Sequence, residues 1–68
     1  MNPYTAFKMS LGVRAQGLIA KAGIDTLAKA EKTSRLELLA FQGAGKKTVD
    51  EIESKLKFYG KKLKEDGQ

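Results

Sequence analysis

The segment Gly43-Ala44-Gly45-Lys46-Lys47-Thr48 constrains the fold of this chain more than any other stretch. Glycine has no Cβ and adopts positive φ readily, so two glycines one residue apart favour a tight turn. The apolar spacing of a helix begins directly after this turn. The first amides of a helix lack partners within it and carry the positive end of its dipole. The segment therefore predicts a turn beside a helix start at which a phosphate can bind.

The residues after the turn have the clearest helical pattern in the sequence. Their apolar side chains recur at steps of three and four residues, as they do along one face of a helix. These are Val49, Ile52, Leu56, Tyr59 and Leu63. We therefore predict a helix that begins near Lys46 and ends near Gly60 or frays through 61–64.

An earlier helix is predicted from about Gly12 to Ala22, because Leu11, Ala15, Leu18 and Ala22 repeat with the same spacing. Gly23 fits the position just after its end. A second repeat on this helix contains Arg14, Gly17 and Lys21. A glycine inside a helix costs about 1 kcal/mol relative to alanine, so we expect another backbone to approach Gly17 closely.

Two shorter helices are predicted between these two. Asp25 or Thr26 can cap a helix over 26–32, with Leu27 and Ala30 facing inward. Ser34 and Glu37 have the spacing of a capping box, which predicts a helix over 35–41. The side chains expected to face the core from this helix are Leu36, Leu39 and Ala40. No segment alternates as a strand does, so the predicted fold is all-α, a compact bundle of four to five short helices.

At 68 residues the chain is expected to form one small domain. We predict an N-terminal arm over 1–10, a helical domain over 11–64 and a disordered tail over 65–68. Tyr4 and Phe7 lie one helical turn apart, and we expect both aromatic side chains of the arm to dock on the core.

Composition argues against several classes of function. The chain has no cysteine and no histidine, so we expect no metal site and no cofactor. The serines have no evident base, and Asp50 and Glu51 point apart on a helix, so we expect neither enzymatic activity nor a small-molecule substrate. No segment has the ~20 apolar residues of a membrane span, and no secretory signal begins the chain. We expect a cytoplasmic, nucleoid-associated protein that does not bind membranes.

A nucleotide-binding P-loop is the first alternative for the glycine turn, since Gly45-Lys46-Lys47-Thr48 is similar to the end of that motif. The motif needs a glycine five residues before the second one, and a Ser or Thr directly after its lysine. Ala40 holds the first of these positions, and Lys47 separates Lys46 from Thr48. No strand is predicted before the turn, so this interpretation is rejected.

A helix–hairpin–helix fits the same residues better. The net charge of +5, from 13 basic and 8 acidic residues, favours an acidic partner such as nucleic acid. In such a unit the turn lies on the DNA backbone, where the amides after the glycines and the side chains of Lys47 and Thr48 meet phosphate oxygens. Such contacts position a protein without reading sequence. The alternative is that Gly43-Ala44-Gly45 only connects two helices and the lysines only increase solubility.

Several separated segments resemble, in order and spacing, the C-terminal domain of the bacterial RNA polymerase α subunit. The resemblance runs without an evident gap from Leu11 to Ile52 and continues loosely through the last helix. The segments are Leu11-Gly12-Val13-Arg14-Ala15, Ala22-Gly23-Ile24-Asp25-Thr26-Leu27, Leu38-Leu39, Gly45-Lys46-Lys47-Thr48 and Glu51-Ile52.

The resemblance implies a helix–hairpin–helix domain that binds the minor groove of A·T-rich DNA upstream of promoters. The family's binding arginine opens the first helix of this pattern and matches Arg14. Its hairpin residues match Gly45, Lys47 and Thr48, and a glutamate one turn later matches Glu51. Together with the hairpin, this gives a predicted DNA interface, which comprises Arg14, Gly17, Gly43, Gly45, Lys46, Lys47, Thr48 and Glu51.

The chain departs from the family at two places in this pattern. The family has a DNA-contacting asparagine three residues after the arginine, where this chain has Gly17. The change removes a hydrogen-bonding side chain, or lets the DNA backbone approach more closely. The family also has acidic residues before the helix that contact the σ factor, where this chain has Lys8 and Ser10.

The family domain is tethered to a polymerase-assembly domain, whereas this chain starts at Met1. We therefore expect a stand-alone module related to transcription, whose partner is double-stranded DNA. The alternative hypothesis is a protein-interaction module that docks on RNA polymerase, a σ factor or an activator. Its surfaces would be the arm with Tyr4 and Phe7, and the exposed side of the last helix with Lys57, Phe58 and Lys61. A domain shed from a repair nuclease or ligase is the least favoured interpretation.

Overall fold

The computed structural model describes residues 2–65, which form five helices and no strand apart from an isolated bridge between Ser34 and Lys64. The predicted all-α fold of four to five short helices is confirmed. The helices are α1 Pro3–Met9, α2 Val13–Lys21, α3 Leu27–Glu31, α4 Arg35–Leu39 and α5 Lys46–Phe58. None of them has the length and apolar character needed to cross a membrane.

Helix α5 is the centre of the bundle, since α2 and α4 both pack on it. It contributes Val49, Ile52 and Leu56 to the core, and all three side chains are fully buried. Complete burial of an aliphatic side chain of this size stabilises a fold by about 1.5–3 kcal/mol. The predicted apolar face of the last helix is therefore the face that holds the small domain together.

Helix α1 occupies most of the predicted N-terminal arm. Pro3 lies in its first turn and Asn2 caps it, its side-chain oxygen accepting from the amide of Thr5. Phe7 is fully buried, and the hydroxyl of Tyr4 donates to the carbonyl of Ile24 at 2.6 Å. Both aromatic side chains thus dock on the core, as expected. Burial, with a smaller effect of the Asp25 charge, raises the pKa of Tyr4.

Helix α2 ends as predicted at a left-handed glycine. Gly23 has φ +74°, and the amide of Ile24 donates to the carbonyl of Ile19 at 2.9 Å. This bond, with that from Gly23 to Ala20, forms a Schellman motif. The buried side chain of Ile24 then continues the core beyond the end of the helix.

The start of α4 was predicted correctly, but its buried face was not. The Ser34–Glu37 capping box is present in both directions. Leu36 and Leu39, which were expected in the core, are exposed, whereas Leu38 is fully buried. Ala40 is exposed as well. Five residues make little more than one turn, so spacing within them does not determine which side faces inward.

Helix α5 ends at Phe58, before the last two members of the apolar repeat, Tyr59 and Leu63. Gly60 has φ +70° and reverses the chain, and the amide of Lys64 donates to the carbonyl of Thr33 at 3.0 Å. Leu63 is buried, but it reaches the core from this extended segment and not from the helix. Of the predicted tail over 65–68, all but the first residue lies outside the described residues.

Candidate nucleic-acid interface

An open cleft of about 440 Å³ lies between helix α2 and the turn that precedes α5. It has one wall from each of the two segments that the sequence singled out. The residues that line the cleft are Arg14, Gly17, Leu18 and Lys21 from α2, and Gln42, Gly43, Ala44 and Thr48 from the turn and the start of α5.

The two glycines of the turn have different conformations. Gly43 has φ +82°, in the left-handed region that glycine adopts without strain. Gly45 is extended, with φ −98° and ψ 162°, and is the N-cap of α5. Among the described residues, no side chain caps this helix and no atom lies within 4 Å of the place where a Cβ at Gly45 would be. Gly43 therefore turns the chain, and Gly45 leaves the first amides of α5 open to a ligand.

The cations at this surface have no partner among the described residues. Arg14, Lys21, Lys46 and Lys47 are exposed, and none forms an ion pair within residues 2–65. Their positive charge is therefore not neutralised by the part of the protein that the structure describes.

The carboxylates of residues 2–65 are all engaged elsewhere. Asp25, Glu31 and Glu65 pair with lysines, and Asp50 and Glu53 both pair with an arginine. The two that remain, Glu37 and Glu51, accept backbone amides. None of these carboxylates lines the cleft. Within residues 2–65, no carboxylate therefore neutralises the cations where α2 and the turn meet.

Glu51 connects the two walls of the cleft. Its Oε2 accepts from the amide of Gly12 at 2.7 Å, which ties the N-terminus of α2 to the second turn of α5. This bond fixes the start of α2, and with it Arg14, relative to the lysines of α5. The carboxylate accepts only the amide of Gly12 itself, so within residues 2–65 neither α2 nor α5 has a side-chain N-cap hydrogen bond.

Gly17 is an open position in α2. The close backbone approach predicted there is absent among residues 2–65, since no atom lies within 4 Å of a Cβ built at this glycine. The glycine faces the cleft, with Arg14 on one side and Lys21 on the other. Packing within the described part of the domain therefore does not explain the glycine.

The structure brings four of the sequence-predicted residues into the lining of the cleft, Arg14, Gly17, Gly43 and Thr48. The other predicted residues lie along the neighbouring start of α5, at Gly45, Lys46, Lys47 and Glu51. The prediction did not include Lys21 and Gln42, which line the same cleft. The repeat that contains Arg14, Gly17 and Lys21 was the available signal for the lysine, whereas no sequence signal indicated Gln42.

The C-terminal domain of the bacterial RNA polymerase alpha subunit is the family whose model matches this protein, over residues 7–58. The chain belongs to that family. The matched range includes the whole cleft and all helices except the first turn of α1. The family is a non-catalytic domain of the transcription machinery that binds DNA or other proteins.

Curated relatives give the same result. The DNA-directed RNA polymerase subunit alpha of Ostreococcus tauri is 36% identical over 59 residues, which is 87% of this chain and 17% of that protein. The subunit of Rubrobacter xylanophilus is 36% identical over 76% of this chain and 17% of its own length. The subunit of Fusobacterium nucleatum is 37% identical over 88% of this chain and 18% of its own length. The chain thus spans less than a fifth of these relatives. No solved structure matched it.

Proposed function

We propose that this domain binds double-stranded DNA in transcription, through the phosphate backbone and the minor groove of A·T-rich sequence. The observation that carries the proposal is the cleft in which Arg14 faces the glycine turn, with no carboxylate of residues 2–65 in its lining. Cations that a fold leaves unpaired next to open helix amides match the charge and the hydrogen-bonding needs of a phosphate chain. Such a partner implies a location on the nucleoid.

In this proposal the two walls of the cleft contact different parts of the DNA. The amides that follow Gly45 and the side chains of Lys46, Lys47 and Thr48 bind phosphate oxygens at the start of α5. The guanidinium of Arg14 enters the groove, where a narrow A·T-rich minor groove has an enhanced negative potential. Glu51 supports both walls through its bond to Gly12. Backbone contacts then set the register, and Arg14 reads groove width.

The test is the binding of a labelled A·T-rich duplex across a series of salt concentrations. Each phosphate contact contributes about −0.9 to the slope of log affinity against log salt, so we expect a slope of roughly −3 to −5. The double variant Arg14→Ala with Lys47→Ala should lose binding while its unfolding temperature stays near that of the parent. A G·C-rich duplex of equal length should bind more weakly.

The matched control is Lys57→Ala. Lys57 is exposed on the same helix as Lys47 but ten residues later, about 15 Å away, and does not line the cleft. It should leave the slope nearly unchanged. Absence of binding at low salt, or equal losses from the control and the double variant, would contradict the proposal.

A second candidate function is docking on a protein of the transcription apparatus. Phe58 is 86% exposed at the end of α5, on a surface whose nearby residues include Ser10 and Lys55. Tyr4 and Phe7 no longer contribute to this candidate, because both are packed into the core. The test is sedimentation with purified RNA polymerase after nuclease treatment. Binding that Phe58→Ser abolishes supports docking, and absence of binding argues against it.

A further inference from the structure

Helix α2 carries a second cation on the face that lines the cleft. Lys21 follows Arg14 by seven residues. This spacing places it ~20° away around the helix and ~10.5 Å further along the axis. Both side chains line the cleft, both residues are exposed, and neither has an ion-pair partner within residues 2–65.

The surface between these two cations is a trough. Gly17 lies between them without a side chain, and nothing among the described residues fills the space above it. Leu18 is buried beneath and gives the trough an apolar floor. The facing wall consists of small or neutral residues of the turn and of Thr48, so no described negative charge opposes an anionic strand.

We propose that Lys21 is a DNA-contacting residue, and that the interface extends along α2 from Arg14 past Gly17 to Lys21. This rests on the proposed function and adds to it one strand of the sugar-phosphate backbone, lying in the trough. Cations ~10.5 Å apart on one face of a helix can contact different phosphates of the same strand. The absence of a side chain at Gly17 lets the strand pass between them.

A purely structural role for Lys21 makes a different prediction. A lysine in the last turn of a helix interacts favourably with the helix dipole, which affects folding stability and not DNA affinity. The salt dependence of binding therefore separates the two roles, because a lost phosphate contact changes the slope and a lost dipole interaction does not.

The experiment compares the parent 68-residue chain with Lys21→Ala, Lys21→Arg and Lys57→Ala, with a labelled A·T-rich duplex across a salt series. Lys21→Ala should make the slope shallower by about 0.9 and weaken binding roughly ten-fold at about 0.1 M salt. Lys21→Arg keeps the charge and should restore the parental slope. The control Lys57→Ala should leave slope and affinity close to those of the parent. Thermal unfolding of each variant reports folding separately.

The inference is overturned if Lys21→Ala keeps the parental slope and affinity while Arg14→Ala with Lys47→Ala still abolishes binding. That result leaves the proposed function intact and limits the interface to the start of α2 and the turn. It is also overturned if Lys21→Arg behaves like Lys21→Ala, because charge alone predicts rescue. Absence of binding by the parent overturns the proposed function together with the inference.

Discussion

The starts of helices α4 and α5 differ in whether their first backbone amides and basic side chains have partners within the domain. At α4, Ser34 and Glu37 form a complete capping box. Arg35 in its first turn pairs with Asp50 at 2.8 Å and with Glu53 at 3.4 Å. These contacts, with that to Asp50 the largest, raise the pKa of Arg35 and hold its charge. This helix start is satisfied within the domain.

At α5 the corresponding groups have no partner in the part of the chain that the structure describes. Gly45 offers no capping side chain, and Lys46 and Lys47 form no ion pair within residues 2–65. Unsatisfied helix amides and unpaired cations add nothing to the stability of a small domain, so their concentration at one surface favours a ligand. This contrast agrees with the proposal that the start of α4 stabilises the fold and the start of α5 binds a ligand.

The largest expected effect concerns the α4 end. Leu38→Ala should lower the free energy of unfolding by about 2–5 kcal/mol, because it removes a fully buried side chain and leaves a cavity. Leu36→Ala, at a position 63% exposed two residues earlier, should change it by less than about 0.5 kcal/mol. Denaturant unfolding of the two variants measures the difference. Equal losses would contradict the observed orientation of α4.

A substitution that adds an N-cap side chain would make the start of α5 resemble that of α4. Gly45→Asp places a carboxylate at the N-cap, where the extended backbone and the open space accept a side chain. Stability should rise by a few tenths of a kcal/mol, since glycine is only slightly inferior to aspartate as an N-cap. DNA affinity should fall at least ten-fold, or about 1.4 kcal/mol, because the carboxylate takes the place of the phosphate.

The control for that variant is Gly45→Ser, which adds a capping oxygen without charge. It should stabilise α5 similarly and reduce DNA affinity less than the aspartate does. DNA binding that is undiminished by Gly45→Asp would show that the start of α5 is not part of the interface.

Removal of the cap at α4 should have the converse effect. Ser34→Ala loses the hydroxyl that accepts from the amide of Glu37, at a position where the serine is buried. We expect a loss of about 1 kcal/mol in the free energy of unfolding and no change in DNA affinity at temperatures where the variant is folded. Calorimetry and a binding titration on the same preparation check both expectations. A loss of DNA affinity would contradict the proposal that the start of α4 serves stability alone.

Gly17→Ala tests whether the open position in α2 serves binding. The new methyl group meets no atom within 4 Å among the described residues. Helix propensity should therefore raise stability by up to about 1 kcal/mol. DNA affinity should fall, because the methyl group narrows the trough, but by a smaller factor than for Gly45→Asp. Higher stability together with unchanged or tighter binding would contradict the passage of a strand over Gly17.

The smallest effect is expected from Arg35→Ala. The variant breaks the ion pairs with Asp50 and Glu53, which are partly open to solvent and screened by salt. The melting temperature should fall slightly at low salt, and the difference from the parent should shrink at high salt. DNA affinity should not change, although this variant loses one positive charge just as Lys47→Ala does. A clear loss of binding would indicate that net charge alone drives association.

Local signals in the sequence were sufficient for much of this fold. The apolar repeat of α5, the capping box at Ser34 and the helix end at Gly23 depend on neighbours within a few residues, and the structure has all three. The family match over residues 7–58 also agrees with the resemblance read from separated motifs.

The features that could not be predicted depend on distant parts of the sequence. The inward side of α4 was misassigned because one turn of helix has no reliable periodicity and α5 determines which side is covered. Leu63 continues the numerical repeat of α5, yet it is buried from an extended segment that lies beside Thr33. In both cases contacts with residues distant in sequence, and not local spacing, determined which side chain is buried and from which segment.

The sequence by itself determined the glycine turn, the cations beside it and the family, because these are properties of residue type and local spacing. Only the tertiary structure decided which cations stay unpaired. Arg35 and Arg14 both open a helix, but within residues 2–65 Arg35 pairs with Asp50 and Glu53, whereas Arg14 forms no ion pair. Ion pairing depends on distances of a few ångströms between elements far apart in sequence, and those distances arise only when the helices pack.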